Sequence, residues 1–513
     1  MSPLLRFLLA TLVLLALVRW ALAATLEVTP EEAYVYQLAS HRTWLGCDGG
    51  GGMVVALLAT WLGKSALALR FWMPLVALGT SWLLFRMVVK MAGERAASWA
   101  VVMLNLLPAF NFGAILLQPE WLAALLGLAG IQWLWTGLHR AGTWDWRWLA
   151  SGVAWGVALQ AHGTALSLPI SLGFLLLASR RWRKRLLRPG PWMLLGAWLL
   201  TGVAPLLWWN AQHAGALMDQ WLVEWGWGRL DWRAGTRGFF RQAMAGISPL
   251  LLLAAGWALL GVLRRKPRED APYFLLAFTL PGFALLAGLA MLGMGNAAGW
   301  VPLVPPLCGL LAIVWQPSTD LRERRNWWQW AALGTAALLT LCLLNTDLLR
   351  RAGLVRTYRG DRARHWLGWK TTALETTQII QEAAAQFPPG LLLIAETPQL
   401  AAALDFHLPD GLPVLTPQPG WPRVQVMESP ASFSQYAFWP RYDEEDAEGG
   451  KEAPASFNAL FFTEVTERIG PPEMLRQSFG EVTPVMVFEV NRHGMLLRRI
   501  KVFACRDYHG SPL

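Results

Sequence analysis

The chain has 513 residues, of which 55% are hydrophobic and 15% charged, with 32 tryptophans and a net charge of +10. Soluble domains carry about 25% charged residues, and the mean hydropathy of +0.35 points the same way, so the composition is that of an integral membrane protein. Four cysteines, moderate Pro and Gly and no internal repeat exclude disulfide-scaffold, fibrous and disordered classes. The basic excess sits in short loops between apolar stretches, which argues against nucleic-acid binding.

Residues 1–345 hold 27 Lys/Arg against 14 Asp/Glu and 28 of the tryptophans, whereas residues 346–513 hold 17 Lys/Arg against 20 Asp/Glu. That shift predicts a membrane domain over 1–345 and a water-facing domain over 346–513, the second of ordinary single-domain size. A span needs about 20 apolar residues, fewer inside a bundle. Eleven are expected, near 4–23, 66–89, 97–117, 121–138, 148–160, 164–178, 191–209, 247–263, 271–291, 301–315 and 327–345. With the N-terminus inside, the inner loops collect 17 basic residues, among them Lys90, Arg95, Arg140, Arg147 and the clusters at 180–188, 264–268 and 322–325, against six in the outer loops. The positive-inside rule is satisfied, and odd parity sends the C-terminal domain outside. The first span reads as an anchor, with Arg19 and Trp20 at its end. A signal peptide ending at Ala21-Leu22-Ala23 is the rival reading, and either one leaves the next loop outside.

That next loop opens with Thr29-Pro30-Glu31-Glu32-Ala33-Tyr34-Val35-Tyr36. Thr29 can cap a helix that has Pro30 at its first position and a carboxylate at its third. A cap explains one glutamate and leaves its neighbour, about 100° around the helix, for other work. Gly46-Cys47-Asp48 followed by Gly49–Gly52 is either a flexible loop or a close backbone approach to a ligand. It lacks the Lys-Ser/Thr ending of a phosphate loop. Glu120 in Gln118-Pro119-Glu120 starts a span at the outer face, where the helix dipole alone would favour it. His162 and His213 lie at outer span ends. Asp48 with His213 is the one metal pair considered, without local ligand spacing to support it. The stretch 210–246, with Trp221, Trp225, Trp227 and Trp232 beside Arg229, Arg233, Arg237 and Arg241, reads as an interfacial amphipathic segment or a seat for a lipid phosphate. Cys47 and Cys505 both fall outside, where a disulfide is allowed.

In the tail, Leu391-Leu392-Leu393-Ile394 and Val485–Val490 read as strands and 397–406 as a helix, giving an α/β domain. The run Asp443-Glu444-Glu445-Asp446 reads as a solvated loop.

Taken in order, these motifs resemble the bacterial polyprenyl-phosphate-sugar glycosyltransferases of the GT-C class, the protein O-mannosyltransferase-like and aminoarabinose-transferase-like proteins of glycosyltransferase family 39. Glu31-Glu32-Ala33-Tyr34-Val35-Tyr36 is similar to the Asp-Glu-Ala-Tyr-Tyr motif of that family, Cys47-Asp48-Gly49-Gly50-Gly51 to its Tyr-Asp-His-Pro-Pro, and Gln118-Pro119-Glu120 to its Thr-Pro-Asp. Leu207-Trp208-Trp209-Asn210-Ala211-Gln212-His213 is similar to its Leu-Leu-Trp-Asn-Ala-Gln-His. The stretches 394–401 and 433–440 resemble its extracytoplasmic domain. Two family Asp positions are Glu here, and the His-Pro-Pro is replaced by glycines.

The resemblance implies a polytopic α-helical GT-C-like fold of about 11 transmembrane helices with a C-terminal extracytoplasmic, periplasmic α/β domain, in a bacterial inner membrane. It implies transfer of a sugar from a polyprenyl-phosphate donor to an envelope lipid, glycan or protein acceptor. Glu31, Glu32, Asp48 and Glu120 would be catalytic, with Glu31 as base. Asn210, His213, Arg229 and Arg237 would bind the lipid phosphate, and a divalent ion on Asp48 and His213 is the only cofactor considered. The altered motifs keep a second class open, a non-catalytic binder or transporter of lipid-linked sugar.

Overall fold

The computed structural model describes residues 2–41, 63–140, 145–178, 180–218, 232–264, 270–292, 299–315, 327–351, 353, 363–387, 390–416, 422–427, 434–439, 457–465 and 470–508. The chain divides into two compact units. One comprises Met1–Ala24 and Trp44–Asn345, the other Thr25–Thr43 and Thr346–Leu513. The second unit thus includes the stretch that follows the first helix as well as the C-terminal part of the chain.

The first unit is helical. All eleven expected spans fall on helix, yet among the described residues only six helices are long and apolar enough to cross a membrane alone, with two bent pairs bringing the number to at most eight. Two shorter apolar helices, Gly163–Leu177 and Val301–Val314, fall on two more of the expected spans. Apolar windows count residues, whereas crossing requires unbroken helix, and prolines interrupt it. Glu94–Leu106 and Pro108–Ile115 meet at 71°, because Leu107 before the proline is held extended. Trp232–Ile247 and Pro249–Arg264 meet at 99°.

The freed polar groups find partners inside the unit. The Asn111 amide donates to the carbonyls of Asn105 (2.8 Å) and Leu107 (3.0 Å), beside the break. The Asn111 carboxamide oxygen in turn accepts from the buried Arg19 guanidinium at 2.8 Å. A π turn over Leu199–Val203 precedes Pro205, and Gln160 Nε2 donates to the Gly202 carbonyl at 2.7 Å. The close approach there needs glycine, since a Cβ on Gly156 would lie 1.9 Å from Thr201 Oγ1. Small residues are the usual means by which helices approach closely in lipid.

The second unit is a five-stranded sheet in the order β2-β1-β3-β5-β4, with β1 (Leu391–Ala395), β2 (Val424–Val426), β3 (Asn458–Glu464), β4 (Phe479–Arg492) and β5 (Met495–Tyr508). β1 runs parallel to β2 and β3, while β5 is antiparallel to β3 and β4. Every residue of β1 is buried, as a continuous apolar run in a covered parallel sheet should be. The β4–β5 hairpin turns at His493-Gly494, both at positive φ, the tight-turn conformation matched to strand twist. Phe457, Phe461, Phe479, Phe503 and Tyr508 fill the core together with Cys505. Cys505 is a free thiol there, and burial pushes it up to about 12. Its expected partner Cys47 lies outside the described residues.

Helices Pro30–Ser40, Trp369–Gln386 and Pro398–His407 belong to this unit. Thr397 caps the last of them through the Leu400 amide at 3.3 Å. Motifs far apart in sequence meet on it. Tyr34 Oη accepts from the Gln435 amide at 3.1 Å, and Tyr436 Oη donates to Gln37 Oε1. Gln37 Nε2 donates to Asp405 at 2.9 Å, and Tyr36 packs edge-on against Phe406 at 5.3 Å.

Candidate functional site

In the sheet unit, Thr29 and Glu32 form a reciprocal capping box. Thr29 Oγ1 accepts from the Glu32 amide at 3.2 Å, and Glu32 Oε2 accepts from the Thr29 amide at 2.9 Å. Glu32 is only 1% exposed, so this is the glutamate that the cap explains. Glu31 projects elsewhere, with its side chain 61% exposed and 3.9 Å from His365 Nδ1.

Glu31 lines a cleft of about 490 Å³ with Pro30, Arg364, His365, Trp369, Glu396 and Arg498 among its walls. Arg364 pairs with Glu464, and Thr463 Oγ1 donates to Glu396. Arg498 lies 3.5 Å over the Trp369 ring and donates to the carbonyls of Arg364 (2.7 Å) and Leu367 (2.9 Å). Its Nε and Nη1 are buried without a hydrogen-bond partner among the described residues. Burial lowers Arg498 to about 10, against the pull of Glu464, so it stays charged at neutral pH. Glu27 holds the start of helix Trp369–Gln386 by accepting from the Trp369 amide at 2.6 Å.

The cleft thus joins one open carboxylate, an imidazole, guanidinium groups and an aromatic face. Such walls suit a polyhydroxylated or anionic ligand, bound through hydroxyl-to-carboxylate and anion-to-guanidinium bonds. Of its lining, sequence reasoning found Glu31 and touched Glu396-Thr397 as part of a resemblance. Arg364, His365, Trp369, Glu464 and Arg498 were missed. Arg498 sits beside buried Leu497 and two residues before buried Ile500 on β5, a strand whose burial does not alternate and so gives no signal.

In the helical unit, Glu120 occupies the first turn of Pro119–His139, its side chain 18% exposed and 3.7 Å from His162 Nε2. His162 Nδ1 accepts from the Thr164 amide at 3.3 Å and contacts Thr164 Oγ1 at 2.9 Å. The other ring nitrogen, Nε2, faces Glu120. Glu120 Oε2 is buried without a hydrogen-bond partner among the described residues. The structure therefore brings together two residues that the sequence had named separately.

Asn210 Oδ1 accepts from the Met218 amide at 3.2 Å, closing the turn after helix Ala204–Gln212. His213 ends that helix, its Nδ1 on the Trp209 carbonyl at 2.9 Å and its ring stacked on Trp209 at 4.0 Å. Both carry structural bonds. Arg237 is exposed on Trp232–Ile247 between Arg233 and Arg241 at helical spacing, opposite buried Phe239, Ala243 and Ile247, so this stretch is an amphipathic helix. Asp48 and Arg229 lie outside the described residues. Among the described residues no group of three or more His, Cys, Asp or Glu could hold a metal ion.

The family model described as dolichyl-phosphate-mannose-protein mannosyltransferase matches residues 51–209. No curated protein matches the sequence. The fold is similar to the crystal structure of ArnT from Cupriavidus metallidurans bound to undecaprenyl phosphate, with a TM-score of 0.60 at 15% identity over 97% of each chain. The apo form of that protein gives 0.57 at the same identity and coverage. The archaeal oligosaccharyltransferase AglB from Archaeoglobus fulgidus gives 0.47 at 13% identity, over 79% of this chain and 64% of that one. The fold is thus similar to that of ArnT, with a helical unit carrying six to eight apolar candidate spans among the described residues and a C-terminal sheet domain.

Proposed function

We propose that the chain is a bacterial inner-membrane glycosyltransferase that moves a sugar from a polyprenyl phosphate to an envelope lipid, glycan or protein, with its sheet unit in the periplasm. The observation that carries the reading is the division of labour at Glu31 and Glu32: the cap occupies Glu32, and Glu31 stands open in a cleft with His365 and Arg498. Undecaprenyl phosphate is bound by the Cupriavidus protein, and the same lipid class is the proposed donor.

In the reaction the acceptor oxygen attacks the anomeric carbon as its proton passes to Glu31. The bond from that carbon to the phosphate oxygen breaks, and polyprenyl phosphate leaves with the electron pair. A carboxylate base suits this task because the proton becomes acidic only as the new bond forms. His365, beside Glu31, would orient it. Glu120, with His162, is assigned to the donor sugar. Arg237 and Arg229 are assigned to the phosphate, where guanidinium groups meet its oxygens in pairs. Asp48 keeps its motif-based role. No step is routed through a metal.

The test is turnover by purified protein in proteoliposomes, with radiolabelled polyprenyl-phosphate sugars and envelope acceptors, alongside Glu31→Gln. Transfer by the native chain, lost by about 100-fold or more in the variant, is the expected result. Turnover that survives in Glu31→Gln would remove the base assignment. Saturable lipid binding without any turnover would replace the transferase with a binder of lipid-linked sugar.

A further inference from the structure

Helix Ala66–Ala92, helix Pro119–His139 and helix Trp146–Ala161 converge on a second hollow of about 260 Å³ within the helical unit. It lies near the C-terminal ends of the first two helices and the N-terminal end of the third. At 1.5 Å per residue it is about 20 Å along Pro119–His139 from Glu120. By the distribution of loop charge this is the inner end of the bundle.

Its walls have the chemistry of a headgroup seat. Arg86 and Lys90, one helical turn apart, both line it. Both are exposed, and neither has an ion pair or hydrogen bond with any described residue. Arg147 adds a third cation, held by Asp145 at 3.0 Å and lying 5.2 Å over the Trp146 ring. Trp133 stands 6.3 Å from Trp146, an aromatic pair of the kind that marks the membrane–water interface. Among the described residues no carboxylate lines the hollow.

Gln132 makes the site more than a charged surface. It is 6% exposed and lines the hollow, and its carboxamide has no hydrogen-bond partner among the described residues. The carboxamide is not itself fully buried, so a group in the hollow can reach it. Thr136, one turn on, spends its hydroxyl on the Gln132 carbonyl at 3.0 Å. Leu83 and Ala129 give the same hollow an apolar wall.

We infer that this hollow binds the headgroup of an anionic phospholipid of the inner leaflet. The phosphodiester meets Arg86 and Lys90, Gln132 donates to its oxygens, and the glycerol end runs along Leu83 and Ala129. Two uncompensated cations at a membrane interface select a negative headgroup, and the apolar wall selects a lipid over a free anion. The site is separate from the proposed reaction and does not depend on it.

Native mass spectrometry of the detergent-solubilised protein tests this, with phosphatidylglycerol, phosphatidylcholine and inorganic phosphate as the three probes. The expected result is saturable retention of phosphatidylglycerol in preference to phosphatidylcholine. Retention should weaken about fivefold for each charge removed in Arg86→Gln and Lys90→Gln, and Arg264→Gln, a basic residue outside the hollow, should leave it unchanged. Gln132→Leu keeps both cations and should still weaken retention, so the outcome does not hang on the fold of the double variant. Equal loss in Arg264→Gln, or no loss in Arg86→Gln with Lys90→Gln, overturns the inference. Displacement of the lipid by inorganic phosphate at similar concentration also overturns it, by making the occupant a free anion.

Discussion

Glu31 and Glu120 have the same local grammar and different surroundings. Each follows a proline in the first turn of a helix, and each has a histidine nitrogen just under 4 Å away. The glutamate of the sheet unit is 61% exposed in a cleft with several other charges. The glutamate of the helical unit is 18% exposed, with one carboxylate oxygen buried and unpartnered among the described residues. A carboxylate open to solvent keeps its hydration, so holding it there costs little. A carboxylate partly enclosed by an apolar bundle is expensive to keep charged unless a polar neighbour such as His162 faces it. Position in the helix sets where the carboxylate points, and the surroundings set what it can do.

The sharpest way to break this comparison is to neutralise the bundle pair. Glu120→Gln should lower transfer about tenfold, the size of one lost charge-assisted bond, and His162→Gln should do likewise. If the two act as a unit the double variant should be little worse than either single one, with a coupling of about 1 kcal/mol in a double-mutant cycle. Strict additivity would mean that the 3.7 Å approach has no role in the reaction.

Arg498→Met probes the sheet unit's cleft in the same spirit. The change removes the cation over Trp369 and leaves the carbonyls of Arg364 and Leu367 without their donor. A loss of about 2–3 kcal/mol in folding stability is expected, read as a lower denaturation midpoint. A midpoint unchanged from the native chain would show that water replaces the guanidinium without cost.

Glu32→Ala sharpens the contrast between adjacent glutamates. It should cost about 1–2 kcal/mol through the lost cap and leave the turnover of the folded fraction intact. A selective loss of turnover at unchanged stability would transfer the chemistry to Glu32.

Much of this was legible in the sequence. Thr29-Pro30 announces a helix start, and the apolar run of β1 declares a buried strand. Three features were not legible. Residues 25–43 join the sheet unit through bonds such as Gln37 to Tyr436, which lie 399 positions apart, and no local pattern encodes a contact of that separation. The eleven apolar windows gave no warning of bends at Leu107 and Ser248, where a following proline and backbone strain, not hydropathy, decide. The cleft arginines come from a segment before helix Trp369–Gln386 and from β5, and only the folded sheet gathers them.

The smallest expected effect concerns how helix Pro30–Ser40 is held in the sheet unit. His41 follows that helix, its ring 4.9 Å from Trp439, and burial lowers it to about 4 although Asp405 pulls the other way. The folded state therefore prefers neutral His41, whereas the unfolded chain takes up a proton near the ordinary value of about 6.5. Between these two values the unfolded state binds more protons, so stability rises with pH across that window. The contribution is fully present above about 6.5 and is lost as pH falls toward 4. Because the ring is partly solvent-accessible, screening reduces the effect, and the prediction is one of sign. Denaturation midpoints of the native chain should fall between pH 6.5 and 4 more steeply than those of His41→Asn. Parallel curves for the two would place the acid sensitivity elsewhere and leave His41 a packing residue only.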